Sequence, residues 1–186
     1  LPTGTYVVKE TEAPLGYTIA SPGEWSRNLC WTTSTTGLEQ DVQIPENKIY
    51  GQNGTWRIQN TLMPNSQTVR LVKVDAGDDQ TKLDSAMFDL YGSDENGNMD
   101  DTPIYGYAGM ESNVHGVISA VDIVLPFGTY WLVETAAPDG YQLCEEPIRI
   151  VVSASGVSAD LDGDALNVYG NPFVISIPND KLPAKL

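Results

Sequence analysis

The sequence is poor in positive charge, in cysteine and in histidine. Its 186 residues include 10 Lys and Arg against 25 Asp and Glu, with two cysteines and one histidine. The shortage of Lys and Arg argues against nucleic acid or an anionic membrane surface as a partner. No run of about 18 apolar residues occurs, so no transmembrane helix is expected. Two distant cysteines exclude a disulfide framework or a multi-cysteine metal site, and one histidine argues against a histidine-activated nucleophile.

The chain does have enough apolar residues for a core, and it has an internal repeat. Hydrophobic residues make up 41% of it, which favours a folded protein over a disordered one. Residues 1–17 (LPTGTYVVKETEAPLGY) and 125–141 (LPFGTYWLVETAAPDGY) are identical at 11 of 17 positions. In both copies a glycine turn precedes a short alternating strand pattern, and Ala-Pro-x-Gly-Tyr ends it as a loop.

The strand patterns and the repeat together predict the domain organisation. Further strands are predicted at 69–74, 86–91, 116–124, 148–152 and 173–177. This spacing predicts an all-β chain of tandem β-sandwich domains, immunoglobulin-like or prealbumin-like. We expect the C-terminal part of one sandwich at 1–62, a linker at 63–65, a complete sandwich at 66–181 and a tail at 182–186. The first sandwich is expected to be truncated at its N-terminus, because the repeat offset calls for roughly 60 preceding residues.

Strand alternation directs three polar side chains into the second sandwich. Lys73 shares a face with Val69 and Leu71, and Glu134 and Asn179 likewise follow apolar neighbours two residues apart. Burial disfavours charge, which favours a neutral amine beside a neutral carboxylic acid. A neutral amine is a nucleophile, and the carboxamide carbon of Asn179 is an electrophile. The alternative is a buried Lys-Glu ion pair with an asparagine beside it and no covalent step.

These residues carry a family resemblance. The LPxGTYxLxETxAPxGY stretch, the LVKVD strand and the last strand ending in Ile-Pro-Asn resemble the collagen-adhesin B-type (CnaB) domains of Gram-positive surface adhesins and sortase-assembled pilins. The resemblance covers residues 66–181 and, in truncated form, 1–62. It implies that Lys73 and Asn179 join spontaneously in an intramolecular isopeptide bond with loss of ammonia, and that Glu134 catalyses the reaction as a proton shuttle. Pro178 departs from a regular strand and could shift the amide, which makes Asp180 the fallback acceptor.

The first domain contains two of the three corresponding residues. Glu10 shares a strand face with Tyr6 and Val8, and Asn60 ends the strand that begins near Trp56. Lys9 falls on the opposite face and cannot complete the trio. The expected lysine would lie in the absent opening strand.

The resemblance implies a structural role rather than an enzymatic one. The expected protein is a subunit of a pilus or adhesin stalk, extracellular and anchored to the Gram-positive cell wall, with other pilus subunits as partners through sortase. No cofactor or metal is expected. The alternative is a ligand-binding adhesin, in which the insertion at 21–50, with Trp25 and Trp31, contacts a host matrix protein or glycan.

Weaker signals concern the cysteines and one acidic loop. Cys30 lies in a three-residue match to thioester adhesin domains, but a disulfide to Cys144 or to an absent segment is the stronger interpretation. The loop at 94–101 has alternating oxygen ligands but lacks the glycine and the final carboxylate of a calcium loop. It is predicted to be a polar hairpin loop.

Overall fold

The computed structural model describes residues 4–9, 12–18, 24–29 and 60–183. The chain divides into two compact units, Leu1–Met63 and Pro64–Leu186. The described residues form sixteen strands, which are β1 Gly4–Lys9, β2 Tyr17–Thr18, β3 Glu24–Leu29, β4 Thr61–Leu62, β5 Ser66–Asp75, β6 Asp78–Lys82, β7 Met87–Ser93, β8 Met99–Pro103, β9 Met110–Glu111, β10 Val117–Pro126, β11 Gly128–Ala136, β12 Ile148–Ser153, β13 Gly156–Leu161, β14 Asp164–Ala165, β15 Val168–Tyr169 and β16 Phe173–Asn179. Within these ranges no helix has the length and apolar character that crossing a membrane requires.

The first unit contains two strand pairs in its described part. β1 pairs antiparallel with β3, and β2 pairs antiparallel with β4. A turn precedes β2, in which the Tyr17 amide donates to the Pro14 carbonyl at 3.0 Å. Gly16 in this turn has a φ of +81°, a conformation that glycine adopts without steric cost.

The second unit consists of two sheets with a core between them. One sheet has the order β10-β5-β16-β15, with β6 also paired to β5. The other has the order β14-β13-β12-β11-β7-β8, with β9 also paired to β7. Both sheets contribute fully buried apolar side chains, which include Leu71, Phe88, Leu90, Leu132, Ile148, Ile150, Ile175 and Ile177. The prediction of an all-β sandwich is therefore confirmed for this unit.

The first and last strands of the second unit lie side by side. β16 pairs with β5 in parallel, in a register that runs from Phe173 opposite Val69 to Asn179 opposite Asp75. A parallel pair cannot be joined by a hairpin, and here the connection is most of the unit. The start and the end of the domain are thus adjacent at the centre of one sheet.

The hairpin before β10 brings a glycine against β5. Gly116 has a φ of +72°, and its carbonyl accepts from the Lys73 amide at 2.7 Å. A Cβ on Gly116 would lie 2.5 Å from the Lys73 carbonyl oxygen. Only glycine fits this approach, so Gly116 helps to fix the backbone that carries Lys73.

Candidate functional site

Strand alternation places three polar side chains inside the sandwich of the second unit. Lys73 on β5 is 0% exposed, and Glu134 on β11 and Asn179 on β16 are each 4% exposed. The two sheets supply them from opposite sides, because β5 and β16 belong to one sheet and β11 to the other. The predicted inward orientation of all three residues is confirmed.

The Lys73 amine is surrounded by oxygen atoms and one aromatic ring. Its Nζ donates to Asn179 Oδ1 and, at 3.1 Å, to the Pro178 carbonyl. It lies 3.4 Å from Glu134 Oε1 and 5.6 Å from the centroid of the Phe88 ring. The amine is therefore held directly beside the carboxamide of Asn179.

The Asn179 carboxamide is held from both ends. Its Oδ1 accepts from Lys73, whereas its Nδ2 donates to Glu134 Oε1 at 3.0 Å, to Glu134 Oε2 at 2.9 Å and to the Gln142 carbonyl at 2.8 Å. The acyl oxygen therefore faces the amine, and the nitrogen faces the carboxyl group.

Glu134 is held in place by a backbone donor. The Cys144 amide donates to Glu134 Oε2 at 2.7 Å, which satisfies one acceptor of a carboxyl group that is removed from water. The other oxygen lies next to Lys73 and Asn179. One carboxyl group therefore contacts both the amine and the carboxamide nitrogen.

Burial shifts the ionisation of Lys73 toward its neutral form. Desolvation lowers the pKa of Lys73 from 10.5 to about 8, and the nearby negative charge of Glu134 opposes this shift. An amine with this pKa gives up its proton far more readily at neutral pH than an exposed lysine does. The site thus favours nucleophilic behaviour of Lys73.

The side chain that lies beside Lys73 is that of Asn179. Asp180 is exposed. Pro178 does not displace the amide, because the Ser176 amide donates to Asn167 and not to β5, and Pro178 shares that backbone orientation two residues later. The missing donor of Pro178 therefore faces away from β5, and the ladder with β5 is preserved.

Two residues that contact the trio were missed by the sequence reasoning. Gln142 contributes its carbonyl oxygen and Cys144 its amide. Backbone groups act in both cases, so side-chain patterns carry no signal for them. The only available hint is position, since both follow the Gly-Tyr pair that ends the second repeat.

The first unit repeats the backbone arrangement around the acceptor strand. Tyr17 pairs with Leu62, two residues after Asn60, just as Tyr141 forms a bridge with Lys181, two residues after Asn179. In both units a glycine carbonyl accepts at 2.8 Å from the residue three positions after the asparagine, Gly16 from Met63 and Gly140 from Leu182. Asn60 thus occupies the backbone position in the first unit that Asn179 occupies in the second.

Other residues singled out in the sequence are only partly described. Glu10, Cys30, Trp31 and residues 184–186 lie outside the described residues, and Trp25 lies in β3. Cys144 is a free thiol whose Sγ donates to the Glu146 carbonyl at 3.4 Å.

The acidic loop at 94–101 closes on itself. Asp94 Oδ1 accepts from the amides of Asn96 and Asn98, each at 2.8 Å. In the described part of the chain no group of His, Cys, Asp or Glu has a metal-binding arrangement. The loop is therefore the polar hairpin connection predicted for it, between β7 and β8.

Comparison with solved structures gives similarities to several bacterial proteins, two of which are pilus proteins. The C-terminal fragment of the pilus adhesin SpaC from Lactobacillus rhamnosus GG is 22% identical, with a TM-score of 0.46, and the match covers 100% of this chain and 79% of that one. The Bacillus anthracis TIE protein is 22% identical with a TM-score of 0.41, and 98% of this chain matches 26% of that protein. The pilus 2b backbone protein of group B streptococcus is 19% identical with a TM-score of 0.43, at 80% and 53% coverage.

Comparison with families gives a more direct result. Curated proteins gave no match to the chain. The family described as SpaA, prealbumin-like fold domain, matches residues 67–165, which is more than half of the 186 residues. This stretch contains Lys73 and Glu134, and it ends before β15, β16 and Asn179. The chain therefore belongs to the SpaA family of prealbumin-like fold domains.

Proposed function

We propose that the chain is a structural segment of a cell-surface pilus or adhesin stalk, whose second domain locks itself with an isopeptide bond between Lys73 and Asn179. The observation that carries this proposal is the contact of three buried groups, an amine, a carboxamide and a carboxyl group. Such a cluster is costly to bury for stability alone. A covalent product that removes the charge of the amine gives a physical reason for the arrangement.

The reaction needs no group beyond the trio. A proton passes from Lys73 Nζ to Glu134 across the 3.4 Å contact, which leaves a neutral amine and a neutral carboxylic acid. The lone pair of Nζ attacks Asn179 Cγ, and a new C–N bond forms. Glu134 gives its proton to Nδ2, to which its oxygens are hydrogen-bonded, and takes up the second proton that Nζ loses, so that it ends as a neutral acid. The Cγ–Nδ2 bond breaks, and ammonia leaves.

The packing of β5 against β16 accelerates the proposed reaction. Lys73 and Asn179 are held together by neighbouring strands, so the attack is effectively unimolecular. The Nδ2 atom also donates to the carbonyl of Gln142, a residue that is itself exposed. The leaving group therefore points toward the side of the site from which ammonia can escape.

A bond at this place suits a load-bearing domain. Lys73 and Asn179 lie on the first and last strands of the second unit, 106 positions apart. Tension applied to the ends of the unit passes through β5, across the bond and out of β16. The residues between them carry no load, which is the property that an extracellular stalk needs.

Intact mass under denaturing and reducing conditions tests the proposal. We expect the chain to be lighter than its calculated mass by one ammonia, and a protease digest to contain a branched peptide that joins Lys73 to Asn179. The full mass should return in Glu134→Gln and in Lys73→Met. Glu146→Gln is the matched control, since Glu146 is exposed and should keep the deficit.

A succinimide would produce the same deficit and must be distinguished. The sequence contains Asn53-Gly54 and Asn96-Gly97, and ring closure at an Asn-Gly pair also releases ammonia. Only an isopeptide bond depends on Lys73, so a deficit that persists in Lys73→Met would overturn the proposal. A full mass in the unsubstituted protein would overturn it as well.

A further inference from the structure

A second polar cluster lies immediately beside the trio. Asp75 is on β5, two residues after Lys73, and is 4% exposed. Its Oδ2 accepts from the Tyr141 hydroxyl at 2.8 Å and is 2.7 Å from Lys181 Nζ, while its Oδ1 accepts from the Gly77 amide at 2.8 Å. Lys181 covers this carboxylate from the solvent side, with its own side chain 69% exposed.

The three residues connect the segments that flank the reaction. Asp75 is the register partner of Asn179, and Lys181 follows Asn179 by two residues. Tyr141 precedes Gln142, whose carbonyl accepts from Asn179 Nδ2. One carboxylate on the strand of the nucleophile therefore holds both the acceptor strand and the segment that orients the carboxamide.

Backbone hydrogen bonds join the same two segments to each other. The Gln142 amide donates to the Asp180 carbonyl at 2.8 Å, and the Leu182 amide donates to the Gly140 carbonyl at 2.8 Å. The Asn179 carbonyl also accepts from the Ala76 amide at 3.0 Å. The end of β5, the end of β16 and the segment 140–142 thus meet at a single junction.

We propose that Asp75, Tyr141 and Lys181 form a latch that positions the Asn179 carboxamide against Lys73 and so sets the rate of bond formation. The inference rests on the proposed isopeptide reaction. None of the three residues contacts the reacting amine or carboxyl group through any described hydrogen bond, so they are positioning residues. Their effect is exerted through the placement of Asn179 and of the Gln142 carbonyl.

The first unit shows that the backbone pairing beside the latch does not require the lysine. Leu62 occupies the backbone position there that Lys181 occupies in the second unit. A leucine cannot form an ion pair, yet the pairing of Tyr17 with Leu62 is kept. The lysine is thus an addition to a backbone arrangement that forms without it.

The rate of ammonia loss in newly made protein tests the latch. The full chain is synthesised in a short cell-free pulse, the reaction is quenched in acid at intervals, and both intact mass and protease resistance are recorded. Tyr141→Phe and Lys181→Met should each slow ammonia loss on the order of tenfold, the equivalent of one hydrogen bond to a charged group. Both variants should still reach complete conversion, because the reaction is irreversible.

Conservative and distant variants separate positioning from folding. Lys181→Arg keeps the ion pair with Asp75 and should restore the rate to within about twofold. Arg149→Met is the control, because Arg149 lies on β12 away from the latch, where it pairs with Asp160 at 3.4 Å, and this variant should react as the unsubstituted chain does. Protease resistance should be equal in all of these variants.

Three results would overturn the latch. Equal rates in Tyr141→Phe and the unsubstituted chain would do so, as would a slower rate that merely follows a loss of folded protein. A Lys181→Arg chain as slow as Lys181→Met would exclude the ion pair as the cause. If the unsubstituted chain loses no ammonia, the proposed reaction itself fails and the latch fails with it.

Discussion

Replacing both charged members of the trio should reveal the bond as a loss of stability. In Lys73→Met/Glu134→Leu no isopeptide bond can form. The lost crosslink would close a loop between positions 106 apart. A crosslink of that span lowers the entropy of the unfolded chain, which raises the free energy of that state by about 4.7 kcal/mol at room temperature. For a domain of this size we expect a fall in Tm of about 15–25 °C.

The alternative without a covalent bond predicts the opposite sign. If Lys73 and Glu134 form only a buried ion pair, replacing both with apolar residues of similar size removes a desolvation cost. Such replacements leave proteins unchanged or stabilise them by about 1–4 kcal/mol. Asn179 would keep the Gln142 carbonyl as the partner of its Nδ2 atom. The two explanations therefore differ in the direction of the effect and not only in its size.

Urea unfolding followed by circular dichroism measures this difference. The crosslinked chain should have a higher midpoint and also a smaller m-value, because its unfolded state remains compact. Arg149→Met is a suitable control, since the ion pair of Arg149 with Asp160 at 3.4 Å is largely exposed and contributes little. A double variant as stable as the unsubstituted protein, with an equal m-value, would refute the crosslink.

Three further outcomes are expected. The rate of ammonia loss should be level between neutral pH and about pH 8 and fall about tenfold per unit above it. The neutral pair and the ion pair hold the same number of protons, and Lys73, with its pKa lowered to about 8, loses the shared proton there. Timed intact masses at each pH check this, and a rate that rises beyond pH 8 would show that Glu134 need not be protonated. Gly116→Ala should destabilise the second unit by about 1–3 kcal/mol more than Gly97→Ala. Both glycines have a positive φ, but of the two only Gly116 would place a new Cβ against backbone, 2.5 Å from the Lys73 carbonyl oxygen. Equal urea midpoints of the two variants would contradict this. In single-molecule pulling, Lys73→Met should release roughly 350–380 Å of chain between positions 73 and 179, which are 106 positions apart. The unsubstituted domain should not extend between these positions. Equal extensions of the two proteins would exclude the covalent bond.

The sequence predicted the trio because strands alternate with a period of two. Lys73, Glu134 and Asn179 each continue an apolar face, so a polar residue in that series is visible without a structure. Their contact is not visible in the same way. It depends on β16 lying parallel to β5 and on β11 facing both, and alternation within one strand says nothing about which strands are neighbours.

The edge strands were missed for a different reason. β6 (DDQTK) and β8 (MDDTP) are almost fully exposed, so they have no apolar face to mark them. Their pairing with β5 and β7 is made by backbone groups. Asp75 was missed because an acidic residue at a strand end is usually exposed, and only the folded chain brings Tyr141 and Lys181 to it.

The arrangement of the site also determines when the proposed isopeptide bond can form. Lys73 is on the first strand of the second unit, Glu134 on a strand of the opposite sheet, and Asn179 at the end of the last strand. The carboxamide is oriented by Gln142 only after both sheets are packed. The bond therefore cannot guide folding, because its geometry exists only in a chain that has already folded. It would change the unfolding rate, because a crosslink that is absent from the folding transition state affects unfolding alone. A domain crosslinked in this way would fold as an ordinary sandwich does and would become kinetically stable only afterwards.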